Sequence, residues 1–304
     1  MTADQLFAKI ETALPKLSSA KEELLSDYSS FHIGGPCRAI YFPDSPEELS
    51  SLLRLLADYQ ICPFILGAGT NLLFPDEGLS VPVISTKHMT DLRLMDENTL
   101  RAQAGVTLTK LASFARDASL EGLEFAHGIP GSVGGGVFMN AGAYGGELKD
   151  SIVRVDYMTL NGEMRSAFGD ELSFGYRESI FQHMNAVVVS ADFRLQPGSK
   201  DSISEKIQDL ARKRREKQPL EYPSAGSAFR RPAGFYAGAL IEQAALKGFR
   251  IGGAAVSEKH AGFIVNMGGA TCADVKELIS EVQRRVFESS GVHLEPEIRV
   301  IEDQ

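Results

Sequence analysis

The amino-acid sequence predicts an α+β protein of more than one domain, and three observations carry that prediction. An apolar stretch, a capped helical stretch and a second apolar stretch follow one another over residues 39–66 and open into glycines. The segment 122–146 carries nine of the chain's 29 glycines. A polar run at 196–202 then separates an apolar strand from a highly charged helix, the composition shift of a domain boundary.

In chain order, residues 1–17 set Asp4, Lys9, Glu11 and Lys16 among apolar positions, the pattern of an amphipathic helix and not of a signal peptide with an uninterrupted apolar centre. A strand at 39–42 leads to a helix at 47–59, capped by Ser45 with Pro46 at its first position, and a strand at 63–66 closes a βαβ unit in Gly67-Ala68-Gly69. Short strands at 81–85 and 99–104 precede a helix at 107–120, with Leu108, Leu111, Ala112 and Ala115 on one face. The segment 122–146 is too rich in glycine for a helix interior and reads as loop or tightly packed backbone. Strands at 152–160 and 186–195 flank a loop with Tyr176 and Arg177. Beyond the boundary come a helix at 203–217, a loop holding Ser227, a helix at 236–247, a strand at 263–265, a helix at 273–289 and a final strand at 298–301.

Composition narrows the function classes. At 304 residues the chain exceeds a single small domain of roughly 100 to 150 residues, so two or three domains with a substantial core are expected. With 43% hydrophobic and 23% charged residues it is an ordinary globular chain, and no run approaches the roughly 20 apolar residues of a membrane span. The net charge of -9 argues against a nucleic-acid partner. Cys37, Cys62 and Cys272 are odd in number and far apart, which speaks for a reducing, cytoplasmic setting without a disulfide framework or thiolate zinc site. The six histidines show no ligand spacing, so no metal site is expected.

Two glycine-rich stretches, Gly67-Ala68-Gly69-Thr70-Asn71 and 128–136, suit a phosphorylated cofactor, because backbone N–H groups converge on an anion only where no Cβ intervenes. Leu72 at the third glycine position rules out a Rossmann fingerprint. Either stretch alone is equally well explained by structural turns. Ser227 lacks the spacing of a nucleophile elbow, so its candidate role is proton donor; an isolated loop serine more commonly caps a turn. Arg177 and Glu297 read individually as surface charges, and the run Arg212-Lys213-Arg214-Arg215-Glu216-Lys217 fits a solvated helix face or a diphosphate anchor equally well.

Together these residues give the chain a resemblance to the UDP-N-acetylenolpyruvoylglucosamine reductase (UDP-N-acetylmuramate dehydrogenase) family. It rests on Ser30-Phe31-His32-Ile33-Gly34-Gly35, Gly67-Ala68-Gly69-Thr70-Asn71, Gly128-Ile129-Pro130-Gly131-Ser132-Val133-Gly134-Gly135, Asn140-Ala141-Gly142-Ala143-Tyr144-Gly145, Tyr176-Arg177-Glu178-Ser179, Ala225-Gly226-Ser227 and Leu294-Glu295-Pro296-Glu297. The resemblance implies an FAD-binding domain of the vanillyl-alcohol-oxidase (PCMH) type in two α/β subdomains at 1–197, with its core from about 33, and a smaller α+β substrate domain at 198–304. It implies non-covalent FAD, held by Gly67, Ala68, Gly69, Thr70, Asn71, Leu72, Gly128, Ile129, Pro130, Gly131, Ser132, Gly134, Gly135, Asn140, Gly142 and Ala143.

NADPH as hydride donor, UDP-N-acetylglucosamine enolpyruvate as substrate and a monomeric state are implied in the same way. So are Arg177 and Glu297 as stabilisers of an enolate, Ser227 as its proton donor, and Tyr144, Tyr176, Arg214 and Lys217 as substrate contacts, Lys217 lying in Lys217-Gln218-Pro219. Two departures mark the shorter subtype: Arg231-Pro232 replaces an Asn-Pro of some members, and the stretch 176–187 is too short for a tyrosine-bearing lid.

Overall fold

The computed structural model describes residues 3–303, with only the backbone of Ala3 and Asp4; Met1, Thr2 and Gln304 lie outside the described residues, and with them the ends of the expected N-terminal helix and of the two expected domains. The chain divides into two compact units, each assembled from separate stretches. The first takes the residues up to Lys21, then Ala39–Ala68 and Val81–Lys213; the second takes Glu22–Arg38, Gly69–Ser80 and the chain from Arg214. Within the polar stretch 196–202, Gln196–Pro197 pairs with Leu120–Glu121, and a helix runs over Lys200–Lys217.

In the first unit the expected βαβ element forms because its signals are local. Ser45 accepts a hydrogen bond from Glu48 N (3.2 Å), Pro46 opens the helix Pro46–Asp58, and Leu49, Leu52, Leu53 and Leu56 form one buried stripe. Each such leucine contributes on the order of 2 kcal/mol by leaving water. The stripe packs with Tyr41, Ile84 and Met89, and with Leu6, Phe7 and Ile10 of the helix Ala3–Ala13. The two strands of the βαβ element are not neighbours: Val83–Ser85 lies between them, parallel to both. A five-stranded antiparallel sheet follows, in the order Met164–Phe168, Ile152–Thr159, Ala186–Arg194, Thr99–Gln103, Leu92–Leu94.

The glycine segment corrects the sequence expectation. Residues Val133–Phe138 form a helix with three successive glycines inside it. Contact explains this: a Cβ on Gly134 would lie 2.9 Å from Ala104 Cβ, and one on Gly136 would lie 2.8 Å from Leu148 Cδ1. The helix can approach the neighbouring strand only without side chains, so tight packing overrides poor helix propensity.

The second unit holds an antiparallel sheet in the order Ser224–Ser227, Phe263–Asn266, Ala254–Val256, Arg250–Ile251. Ser227 therefore ends a strand and is not in a loop; the polar, small-residue run Ser-Ala-Gly-Ser is made a strand by its pairing to Val265 and Phe263. The helix Cys272–Ser290 starts in a capping box between Thr271 and Asp274 and ends at Gly291 (φ 71°). Its Val275, Leu278, Ile279, Val282 and Val286 share a core with Phe31, Ile33 and Leu73. The helix expected at 236–247 is only Ala237–Gln243, since Ala245 (φ 56°) and Gly248 (φ 72°) turn the chain left-handed. Among the described residues no helix is long and apolar enough to cross a membrane.

Candidate functional site

In the first unit three short elements gather around the glycine helix. Gly142–Ala143 and Gly146–Glu147 pair as a two-residue hairpin whose tip, Tyr144 (φ 53°) and Gly145 (φ 89°), has the positive dihedrals of a type I′ turn. The turn leaves Tyr144 47% exposed. A second tight turn carries Tyr176 and Arg177: Gly175 N donates to Glu178 O (3.1 Å) and Glu178 N to Gly175 O (3.3 Å). Arg177 is half-buried at its second corner with φ 55°, sits over the Tyr176 ring at 5.1 Å, and donates from Nη2 to Gly142 O (2.9 Å).

Asn140 joins these elements. It is fully buried and left-handed (φ 42°), and its side chain is engaged by protein on both ends. Its Nδ2 donates to Gly175 O (2.8 Å) and Glu147 Oε2 (3.1 Å), while Oδ1 accepts from Lys149 N (3.0 Å). Gln182 adds a further link, donating from Nε2 to Phe138 O and to Arg177 O, both at 2.9 Å.

The residues also pass a test for a phosphorylated cofactor. Ser132 Oγ is buried and has no hydrogen-bond partner among the described residues, although its residue occupies the N-cap of the glycine helix. Beside it lie Gly67 and Gly135, on which an added Cβ would stand 3.1 Å and 3.7 Å from that oxygen. A buried hydroxyl without a partner costs about 1–3 kcal/mol, and a phosphate oxygen beside a side-chain-free wall would satisfy it. Ala68, Ile129, Pro130 and Gly131 belong to the same unit, as does Gly128 at the end of the 3₁₀ turn Glu124–Gly128.

The second unit gathers the remaining candidates. Gly69 (φ 65°) must be glycine, since a Cβ there would meet Tyr28 O at 1.9 Å. Asn71 Nδ2 donates to Glu297 O (3.1 Å) and Arg299 N to Asn71 O (3.0 Å), so Thr70 and Asn71 lead into the short strand Leu72–Leu73, which pairs parallel with Arg299–Val300. Residues 295–297 run antiparallel to 228–230: Glu297 N donates to Ala228 O (2.8 Å) and Arg230 N to Glu295 O (2.8 Å). That register sets the Glu297 backbone against the residue next to Ser227, which is exposed and follows Gly226 (φ 79°).

The basic run resolves residue by residue. Arg212 and Lys213 both pair with Asp209 (2.5 and 2.6 Å) on the helix face, whereas Lys217 is exposed at the helix C-terminus in the second unit, with Arg214 one turn earlier. Cations there are favoured by the helix dipole.

Sequence reasoning missed Gln182 and Asn266. Asn266 Nδ2 donates to Phe31 O (3.1 Å) and its Oδ1 accepts from Gly268 N (2.9 Å), tying the Ser30–Gly35 motif to the sheet. An asparagine closing an apolar strand ahead of two glycines was the available signal; Gln182 offers none.

Residues 37–167 match a family model described as an FAD binding domain, and 218–301 match one described as UDP-N-acetylenolpyruvoylglucosamine reductase, C-terminal domain. A UDP-N-acetylenolpyruvoylglucosamine reductase of Syntrophomonas wolfei is 44% identical over 98% of this chain and 100% of its own length. One of Clostridium perfringens is 44% identical over 91% of each chain. The crystal structure of the reductase from Thermus caldophilus, 35% identical, covers 94% of this chain and 99% of its own with a TM-score of 0.79.

Proposed function

The chain belongs to the UDP-N-acetylenolpyruvoylglucosamine reductase family, and from that premise we propose that it reduces the enolpyruvyl ether of UDP-N-acetylglucosamine to UDP-N-acetylmuramate with NADPH as hydride donor. It is an FAD-dependent oxidoreductase of peptidoglycan synthesis. FAD, which the glycines and Ser132 would hold, would supply two-electron hydride chemistry for the reduction, with NADPH as the source of the electrons.

The chain's own residues handle the charge and the proton. Hydride arriving at the β carbon leaves negative charge on the α carbon and its carboxylate, which Arg177 as cation and Glu297 as acid stabilise. Ser227 Oγ–H gives its proton to the α carbon and regains one from solvent. A hydroxyl is a weak acid, but an enolate carbon is a strong base and fixed geometry lowers the barrier. The observation that carries this reading is the pairing of 228–230 with 295–297, which keeps the acid Glu297 beside the donor's neighbour Ala228.

Exposed Tyr144 and Tyr176 (47% and 45%) are assigned to the sugar and enolpyruvyl group, and Lys217 with Arg214 to the diphosphate. The glycines and Ser132 take the FAD phosphates. We assign the FAD-binding domain to 1–197 and the substrate domain to 198–304, supported by the family matches at 37–167 and 218–301. Three free thiols support a cytoplasmic setting.

The test separates the two half-reactions under anaerobic conditions. In Ser227→Ala the flavin band bleaches with NADPH as in the parent, and its return on addition of the enolpyruvyl sugar nucleotide collapses. Normal return would remove Ser227 from the donor role.

A further inference from the structure

We propose that Gln182 is a positioning residue for Arg177, holding the arginine in the geometry the reduction needs; this rests on the reading of Arg177 as the enolate-stabilising cation. The carboxamide nitrogen has two hydrogens, and it faces two carbonyl oxygens, Phe138 O and Arg177 O, each at 2.9 Å, with the weak acceptor Met139 Sδ at 3.9 Å. An amide oxygen in that place would face two acceptors, so the orientation of the amide is fixed by its partners.

One end of this link is rigid. Phe138 O belongs to the last turn of the glycine helix, where carbonyls lack helical partners, and it also accepts from Ser179 Oγ (2.7 Å). The helix itself is pinned to the segment after the strand Thr99–Gln103 through Gly134 N to Ala104 O (2.9 Å) and Val133 N to Val106 O (2.8 Å).

The other end is strained. Arg177 holds φ 55°, a region that a side chain with a Cβ adopts only when its surroundings enforce it. Gln182 grips the carbonyl of that very residue. Asn140 holds the preceding corner through Gly175 O, and the guanidinium is steadied on Gly142 O. Removing the Gln182 link lets the Arg177 peptide relax towards ordinary dihedrals, which swings the guanidinium away from its direction.

Gln182 is only partly buried in a short 3₁₀ turn, so Gln182→Met, of similar length and with no donor, retains the fold. In the FAD-loaded variant, bleaching by NADPH keeps the parent rate. Return of the flavin band with the UDP-linked enolpyruvyl sugar slows on the order of 10- to 100-fold, the scale of a misplaced catalytic group. In an Arg177→Met background, adding Gln182→Met changes nothing further, because the group it positions is gone. Independently of turnover, hydrogen exchange rises in peptides covering 175–179 and stays unchanged over the glycine helix.

Parent-like reoxidation in Gln182→Met, an equal slowing in the Arg177→Met background, or unchanged exchange at 175–179 would each overturn the proposal. If Arg177→Met itself reoxidises normally, the role given to Arg177 falls first. Should Gln182→Met not fold, Gln182→Glu keeps the shape, loses both donors and is read against the same outcomes.

Discussion

The family resemblance assigns Asn140 to the cofactor; its side chain also makes three hydrogen bonds within the protein, and the cost of removing it can be worked from those contacts. Asn140→Ala deletes three hydrogen bonds, to Gly175 O, Glu147 Oε2 and Lys149 N. At about 1 kcal/mol each they total roughly 3 kcal/mol. Alanine also tolerates φ 42° less well than asparagine, which adds about 1 kcal/mol. The expected loss of about 4 kcal/mol lowers the melting temperature on the order of 10 °C for a unit of this size.

Asn140→Gly separates the two contributions, since glycine accepts the left-handed dihedral freely and loses only the bonds; it should be about 1 kcal/mol less damaging than alanine. The assay is urea unfolding followed by far-ultraviolet circular dichroism, on the flavin-free chain so that cofactor affinity does not enter. A loss below about 1 kcal/mol for Asn140→Ala, or glycine proving worse than alanine, would refute the assignment of Asn140 as the pin of this region.

Three other outcomes follow from the same structure. Gly69→Ala combines φ 65° with a Cβ 1.9 Å from Tyr28 O, so it lowers stability by at least about 2 kcal/mol, read as the urea midpoint. Burial pushes the thiols of Cys37 and Cys272 up to about 11, while Cys62 is exposed; a disulfide reagent at pH 8 should therefore label one thiol promptly and three after denaturation. Burial holds His260 below its ordinary value of 6.5, so the unfolded chain takes up that proton first as pH falls; stability drops with acidification below about 6.5, and His260→Gln should show a shallower drop in its melting profile.

Legibility in the sequence tracked how local each cause was. The helix Pro46–Asp58 was readable because Ser45, Pro46 and the leucine stripe act within a few residues of one another. The glycine helix was not, because the reason for its glycines lies at Ala104 and Leu148, distant in sequence. The strand Ser18–Leu24, reading Ser-Ser-Ala-Lys-Glu-Glu-Leu, carries no apolar alternation and went unrecognised. Arg177, Ser227 and Glu297 were legible as motifs through resemblance. Their supports, Gln182 and Asn266, act from side chain onto backbone oxygen, and such bonds leave no spacing to find.

The alternation of the chain between its two units sets an order on synthesis. Phe31, Ile33 and Leu73 are made early, but the core they enter is completed by residues as late as Val282, Leu294 and Ile298. Until those emerge from the ribosome, three large apolar side chains have no place to be buried. The second unit is therefore the slow, long-range part of folding and the one most exposed to chaperones and proteases. A chain released early would fail there first, however well its amino-terminal half had already folded.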